Sequence, residues 1–246
     1  MITKKNINYY KFNGELKLKN FISKSDVENL KKEYANYINN NVKSLRIGQD
    51  YNFLNNSGLP SSLHRLEKEK KTFFYKVANK KKNLKVAENL MQKKIRLHSI
   101  QFFMKNSSEN LPTPKHQDNA YWSFQKGKGM SIWIALNSTG KKNGTLYYMQ
   151  GSQNENYPHR SSTNTPGSSL VIKKLKKKFK KKFYNLNIGD AVVHDSKTIH
   201  GSFPNKTKVD RMAFIICYVT KDSQKNKKKF RKYESKLISI SKKKYN

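Results

Sequence analysis

The 246 residues, of which 35% are hydrophobic, suit one domain with a full core. No run approaches the roughly 18 apolar residues that a membrane-spanning helix needs, which excludes such a helix. The single cysteine, Cys217, excludes an intrachain disulfide, and the N-terminal MITKKNINYYKF lacks the apolar core of a signal peptide, so we expect a cytoplasmic protein. The net charge of +36 comes from 52 basic residues of which only six are Arg, which predicts a solvated lysine-rich surface and no specific nucleic-acid partner.

The first third of the chain predicts helices. Residues 21–42 carry apolar side chains at helical spacing, after the cap candidates Ser23 and Ser25. Residues 60–79, beginning PSSLHRLEK, and residues 84–94, with Leu and Met recurring on one side, predict two further helices. No linker-like stretch separates these helices from the rest of the chain, so we expect them to cover it.

After residue 95 the chain consists of short segments rich in β-branched and aromatic residues. This rhythm is typical of antiparallel strands in a sandwich or barrel. The predicted strands are IRLHSIQFFMK, MSIWIALN, GTLYYMQ, SSLVIKKL, KFYNLNIG, AVVHD and RMAFIICYVT. We expect a single domain, 1–246, that is mostly β with flanking helices: a largely helical cover (1–95), a β core (96–220) and a basic C-terminal tail (221–246).

Two segments differ from the rest by their charge. Residues 173–183, KKLKKKFKKKF, predict a strand-loop-strand excursion, an exposed hairpin with a solvated lysine face. The alternative is a rim that attracts an anionic substrate. The tail from Lys221 is strongly basic, and we expect its end to be frayed or disordered.

The segment PKHQDNAYW combines an imidazole and a carboxylate two positions apart. Pro112 and Pro114 disfavour helix, so an extended backbone is expected around His116. In a strand, His116 and Asp118 project from the same face while Gln117 points away. In a helix the two would diverge by about 200° and could not share a ligand. The strand geometry therefore predicts a bidentate metal grip.

Two further histidines, His194 and His200, lie downstream in the segment HDSKTIHGSFPN. A further imidazole completes a two-histidine, one-carboxylate facial triad, which leaves metal positions open for oxygen and a co-substrate on Fe(II). Zinc is the competing metal, but its sites favour Cys or three His, and Cys217 lies inside an apolar strand.

Arg211 stands at the head of the apolar segment RMAFIICYVT, in which alternate residues through Cys217 share one face. Burying an arginine there is costly unless an anion meets it, and a dicarboxylate suits its fork. The alternative is a partner inside the protein, for which Asp210 and Asp195 are candidates.

The chain resembles the phytanoyl-CoA dioxygenase-like family of Fe(II)- and 2-oxoglutarate-dependent oxygenases. The motifs HQDNAYW, IWIALN, NGTLYYMQGS, NIGDAVVHDSKTIHGSFPN and DRMAF occur in the order and spacing of that family. The opening YYKFNGELKLKNFISKSDVENLKKE is similar to the N-terminal strand and helix of the family. The resemblance implies a double-stranded β-helix, a jelly-roll variant, faced with helices. The lysine-rich segment and the tail are not family features.

The resemblance also implies roles for individual residues. It makes His116, Asp118 and His200 the iron ligands and His194 a structural residue, and the presence of Asp118 disfavours a halogenating site. The co-substrate contacts that it implies are Arg211, which would clamp the distal carboxylate of 2-oxoglutarate, Ser202, which would assist it, and Gln101, Trp133 and Lys105.

The implied reaction is hydroxylation of an unidentified small metabolite. It consumes O2 and converts 2-oxoglutarate to succinate, with ascorbate as a candidate reductant. An anionic substrate is favoured by a lysine-lined entrance, while the oligomeric state is left open. Two alternatives are an oxidative demethylase of nucleic acid and a non-catalytic, metal-binding jelly-roll module.

The remaining histidines, His64, His98 and His159, lack metal-ligand spacing, and we expect them at the surface or as satisfied core residues. The aromatic residues Tyr121 and Trp122 follow the HQD motif directly. They would either line the substrate pocket or belong to the core.

Overall fold

The computed structural model describes residues 2–51, 58–107, 111–162 and 170–245, with side chains to residue 239. The α-helices of this part are α1 (Lys4–Asn13), α2 (Lys24–Asn41), α3 (Phe73–Ala78), α4 (Lys81–Met91), α5 (Asp118–Trp122) and α6 (Lys227–Tyr245). The strands are β1 (Glu15–Leu18), β2 (Ser62–Leu63), β3 (Ile95–Lys105), β4 (Thr113–His116), β5 (Phe124–Lys126), β6 (Gly129–Ala135), β7 (Leu146–Met149), β8 (His159–Ser161), β9 (Leu170–Ile172), β10 (Lys181–Phe183), β11 (Ala191–Asp195), β12 (His200–Ser202), β13 (Arg211–Thr220) and β14 (Gln224–Lys225).

Two antiparallel sheets form the centre of the fold. Within the described residues, the major sheet has the strand order β1-β11-β6-β13-β3-β2, and the minor sheet has the order β10-β7-β12-β4. Non-consecutive strands are neighbours in both sheets, so segments distant in sequence meet side by side. The expectation of a mostly β protein with flanking helices is confirmed.

Strand β13 divides the interior into two apolar layers. All its residues are buried. Alternate side chains, such as Phe214 and Ile216, join the layer that the helices cover, which also holds Leu30 and Phe74. The opposite face, which includes Cys217, joins the apolar layer between the sheets. The predicted alternation is therefore confirmed, and it places Arg211 on the inner face.

Two of the three predicted helices are confirmed and one is wrong. Helix α2 begins after Ser23, whose side chain accepts a hydrogen bond of 3.0 Å from the Asp26 N–H, and α4 covers most of the expected third helix. The helix predicted over residues 60–79 is wrong, apart from the short α3. Its first part instead pairs with the edge of the major sheet, where Ser62 lies opposite Phe103.

Helix α1 was not predicted. Thr3 and Asn6 form a capping box, in which each side chain bonds the backbone N–H of the other residue. Gly14 ends the helix in the left-handed conformation, at φ 78°. The sequence contains the capping residues, but the segment lacks a clear apolar face of the kind that predicts a helix, since only Tyr10 of α1 is buried.

The expected hairpin over residues 173–183 is wrong. Strand β9 pairs with β8, whereas β10 joins β7 in the minor sheet, so the two strands that flank the lysine-rich loop belong to different sheets. The loop is anchored by Leu175 and Phe179, which pack against a buried cluster that contains Tyr157 and Ile199. Its apolar residues therefore bind it to the minor sheet and not to itself.

The basic C-terminal tail forms regular secondary structure, and the expectation that its very end is frayed or disordered stays a prediction, because side chains are described only to residue 239. The segment forms β14 and α6, and β14 pairs with β5. Phe230, Tyr233 and Leu237 recur at helical spacing, and Leu237 is 6% exposed. Packing of these buried and half-buried side chains against the fold stabilises the helix in spite of its charge. Among the described residues, no helix is both long and apolar enough to cross a membrane.

Candidate metal centre and cavity

Two strands and one helix bring two histidines and a carboxylate together. His116 ends β4, Asp118 begins α5, and His200 begins β12 directly opposite His116. One ligand atom from each lies within 4.8 Å of the others. Asp118 Oδ1 lies 3.8 Å from His116 Nε2 and 3.5 Å from His200 Nε2.

The backbone at this motif corrects one detail of the expectation. Asp118 is the first residue of a short helix and does not continue the strand. Gln117 remains extended, with φ −119° and ψ 132°, so the neighbouring side chains still project to the same side. Because the helix begins only at Asp118, the His116 and Asp118 side chains still converge on one point.

The histidine tautomers favour metal binding. His116 Nδ1 donates to the Pro114 carbonyl at 2.8 Å, and His200 Nδ1 donates to the Thr198 carbonyl at 3.0 Å. Each Nε2 therefore carries a lone pair directed toward the carboxylate. Burial lowers the pKa of both rings, so they are neutral at physiological pH, the state in which imidazole binds a metal.

The carboxylate is oriented by two donors behind it. Asp118 Oδ2 accepts hydrogen bonds from Ser131 Oγ at 2.6 Å and His194 Nε2 at 3.1 Å, which leaves Oδ1 toward the two histidines. Burial raises the pKa of Asp118, but the hydrogen bond from His194, together with the charge of the neighbouring rings whenever one of them is protonated, outweighs it, so the net pKa lies below its usual range. Two neutral imidazoles and one ionised carboxylate are the donor set that suits Fe(II).

His194 stands next to this set without joining it. Its Nε2 faces Asp118, and its Nδ1 has no hydrogen-bond partner among the described atoms. Its ring centroid lies 4.4 Å from that of His200. The structural role implied for His194 stays a prediction, and the geometry gives it a specific form, a donor that orients the carboxylate.

A cavity of about 430 Å³ opens at the three side chains. Both sheets contribute to its wall, as do α5 and α6. Of the implied co-substrate contacts, Gln101, Trp133 and Arg211 line it. No residue of 173–183 lines it, so the lysine-rich segment does not form its rim.

Arg211 lies on the inner face of the major sheet at 3% exposure. Its guanidinium carbon lies 5.3 Å from the Trp133 ring centroid, and Nη1 donates to the Phe103 carbonyl at 3.4 Å. The two acidic residues considered as internal partners accept hydrogen bonds elsewhere, Asp210 from the Ser107 N–H and Asp195 from the Lys197 N–H.

Two implied contacts do not line the cavity. Ser202 is fully buried and donates from Oγ to Thr113 Oγ1 at 2.8 Å, and Thr113 lines the cavity in its place. Lys105 donates from Nζ to the Leu111 carbonyl at 2.6 Å. Any effect of Ser202 on a bound molecule is therefore transmitted through Thr113, and the roles of both residues stay predictions.

Several residues at the cavity were not expected there. His64 and His98 line it, which corrects their assignment to the surface or core, and burial lowers their pKa to about 4 and about 3. Tyr121 and Trp122, for which a pocket position and a core position were both open, line the cavity, and both also pack in the apolar layer between the sheets. Further additions come from the C-terminal segment, including Lys225, Tyr233 and Glu234.

Comparison with known proteins identifies the family. Residues 10–213 match the family described as phytanoyl-CoA dioxygenase (PhyH). The chain belongs to this family. Membership confirms the resemblance drawn from the motifs and the expected class of enzyme, a 2-oxoglutarate-dependent dioxygenase. Helix α6 lies beyond the matched range.

Individual relatives agree with the family assignment. A curated protein of Stutzerimonas stutzeri, named probable alpha-ketoglutarate-dependent hypophosphite dioxygenase, is 22% identical over 226 residues, covering 85% of this chain and 76% of its own.

Solved structures have the same fold. EvdO2 from Micromonospora carbonacea var. aurantiaca, solved with 2-oxoglutarate, has a TM-score of 0.71 at 20% identity, covering 92% of this chain and 94% of its own. EctD from S. alaskensis, solved with 2-oxoglutarate and 5-hydroxyectoine, has a TM-score of 0.71 at 15% identity, covering 89% and 76%. These likenesses confirm the double-stranded β-helix.

Proposed function

We propose that this protein is an Fe(II)- and 2-oxoglutarate-dependent dioxygenase that hydroxylates a small molecule. One oxygen atom of O2 enters the substrate as a hydroxyl group, and the other enters succinate as 2-oxoglutarate loses carbon dioxide. The observation that carries the proposal is the pair of histidines around the Asp118 carboxylate, at the wall of a cavity that Arg211 also lines. We further propose that the whole chain, 1–246, acts as one domain in the cytoplasm.

Two groups of side chains at the cavity would have separate tasks. His116, Asp118 and His200 would hold the iron, which when bound supplies the activation of O2 that no side chain can provide. Arg211 would bind the distal carboxylate of 2-oxoglutarate through its fork, with its guanidinium over the Trp133 ring. Gln101 would contact the co-substrate from β3, whereas ascorbate would act in solution to keep the iron ferrous.

Turnover in the absence of substrate tests this function. We expect purified protein, loaded anaerobically with Fe(II) and then given 2-oxoglutarate and air, to form succinate and carbon dioxide in equal amounts. Oxygen uptake should depend on both Fe(II) and 2-oxoglutarate, because the protein residues alone cannot activate O2. Oxygen electrode traces and succinate quantification check this. Succinate formation that persists after chelation of the metal would contradict it.

We also propose that the substrate is a small anion. Lys225 lines the cavity, and its Nζ lies 3.7 Å from the centroid of the Phe230 ring. Among the described residues, the nearby ion pair joins Arg65 to Glu234, and none involves Lys225. Burial lowers the pKa of Lys225, as expected of a partly desolvated cation. An anionic group on the substrate would offset that desolvation.

A compound screen with two lysine variants tests the anion proposal. The screen compares small carboxylates, phosphonates and hypophosphite with neutral analogues for stimulation of succinate formation. Hypophosphite is included because the name of the curated relative mentions it. For an anionic hit, we expect Lys225→Gln to raise KM about tenfold or more, since hydrogen bonds to charged groups contribute about 1.5–3 kcal/mol. The exposed Lys228 supplies the control, Lys228→Gln. Equal KM values for both variants, or stimulation by neutral compounds alone, would contradict the proposal.

A further inference from the structure

The residue between two of the proposed iron ligands is itself unusually constrained. Gln117 is 2% exposed, and its side-chain amide points away from the cavity, as the strand geometry predicted. Its Nε2 donates to the Glu155 carbonyl at 2.7 Å and to the Lys197 carbonyl at 2.5 Å. Its Oε1 accepts from the Tyr157 N–H at 2.9 Å. The amide is therefore bonded to two other segments of the chain.

The backbone of the same residue is held by a histidine. The Gln117 N–H donates to His159 Nε2 at 3.1 Å. His159 Nδ1 donates to the Tyr157 carbonyl at 2.7 Å, which fixes the tautomer with an acceptor at Nε2. His159, which lacked any metal-ligand spacing in the sequence, thus reaches the peptide between His116 and Asp118.

These contacts connect both arms of the metal centre. Lys197, which accepts from the Gln117 amide, directly precedes Thr198, whose carbonyl orients the His200 ring. A second link runs from the Asn119 N–H to the Ser196 carbonyl at 2.8 Å. The arm with His116 and Asp118 is thereby tied to the arm with His200 by hydrogen bonds that do not involve the ligand atoms themselves.

We propose that Gln117 and His159 are positioning residues that hold the two arms at the separation at which a metal ion is bound. The inference rests on the proposed function, because it concerns the same metal centre. Groups that orient metal ligands from behind commonly change metal affinity by about 10- to 100-fold when they are removed. We call these contacts of Gln117 and His159 the clamp. Without the clamp, the two arms would have to become ordered when the metal binds, and the metal affinity would fall accordingly.

Titration with Co(II) alone, in the full-length chain, tests the clamp. We expect Gln117→Ala and His159→Leu each to weaken Co(II) binding by about 10- to 100-fold and to alter its visible d–d absorption bands. His159→Gln should restore most of the affinity, since its Oε1 can accept from the Gln117 N–H. The matched control is Gln150→Ala, which removes an amide bonded to Glu15 and Tyr9 away from the cavity.

The outcomes separate the clamp from the activity and from general stability. Thermal unfolding of the metal-free variants identifies loss of folding. Should Gln117→Ala not fold, Gln117→Glu, which opposes two carbonyl oxygens with a carboxylate, and His159→Leu take its place. Co(II) affinities within about twofold of the parent, with unchanged bands, would overturn the clamp. Normal Co(II) binding by the parent without any succinate formation with Fe(II) would instead refute the proposed function.

Discussion

Replacing Asp118 or His200 by alanine is expected to reduce succinate formation to the level without enzyme. Either change leaves only two of the three ligand atoms that the structure brings within 4.8 Å of one another. Asp118→Ala also removes the acceptor of Ser131 and His194, and each buried donor left unsatisfied costs about 1–3 kcal/mol of unfolding free energy. Succinate quantification and thermal unfolding measure the two effects separately.

Two further variants control this experiment. Asp118→Asn keeps the volume and hydrogen-bonding capacity of the side chain but removes its charge, so it should fold better than the alanine variant and remain inactive. Asp222→Ala removes a surface carboxylate paired with Lys93 and should leave activity unchanged. Activity that survives in both Asp118→Ala and His200→Ala would refute the metal assignment.

Replacing Arg211 by lysine is expected to raise the KM for 2-oxoglutarate by about 10- to 100-fold, as loss of a charged hydrogen bond contributes about 1.5–3 kcal/mol. Lysine keeps the charge, but it cannot offer two parallel donors to one carboxylate, nor place a planar guanidinium over the Trp133 ring. Arg211→Met should raise KM further, because the carboxylate would then lack a cationic partner. Initial rates against 2-oxoglutarate concentration provide the measurement.

The matched control for this prediction is Arg160→Lys, a change at an exposed position in β8. It alters the same functional group without touching the cavity, so KM should be that of the parent. Unchanged KM values in both Arg211 variants would contradict the assignment of Arg211 to the co-substrate. The expected pattern is therefore a selective loss of 2-oxoglutarate binding with metal binding retained.

The β core was predictable because its strands carry their own signals. The segments IRLHSIQFFMK and RMAFIICYVT coincide with β3 and β13 over their full lengths. Alternation along β13 also predicted that Arg211 and Cys217 face the same side, where both line the cavity. Local pattern was sufficient in these strands, because each is apolar enough to be buried wherever it pairs.

Other elements depend on contacts that a local pattern does not contain. Residues 62–63 form a strand because the edge of β3 lies beside them, although the segment around them resembles a helix. Helix α6 is dominated by lysine, and its few apolar residues do not by themselves predict a packed helix. They are placed by the cavity wall, which Tyr233 and Leu237 line. The clamp on Gln117 likewise requires that residue 159 return to the HQD motif, a contact between positions 42 apart.

Anaerobic titration of the protein with Fe(II) and 2-oxoglutarate tests the central claim most directly. If His116, Asp118 and His200 hold one ferrous ion with open positions, 2-oxoglutarate should chelate it and produce a visible charge-transfer band that saturates at one equivalent of iron. The band should be absent in His200→Ala and present in Asp222→Ala. No band in the parent protein, or an undiminished band in His200→Ala, would contradict the account.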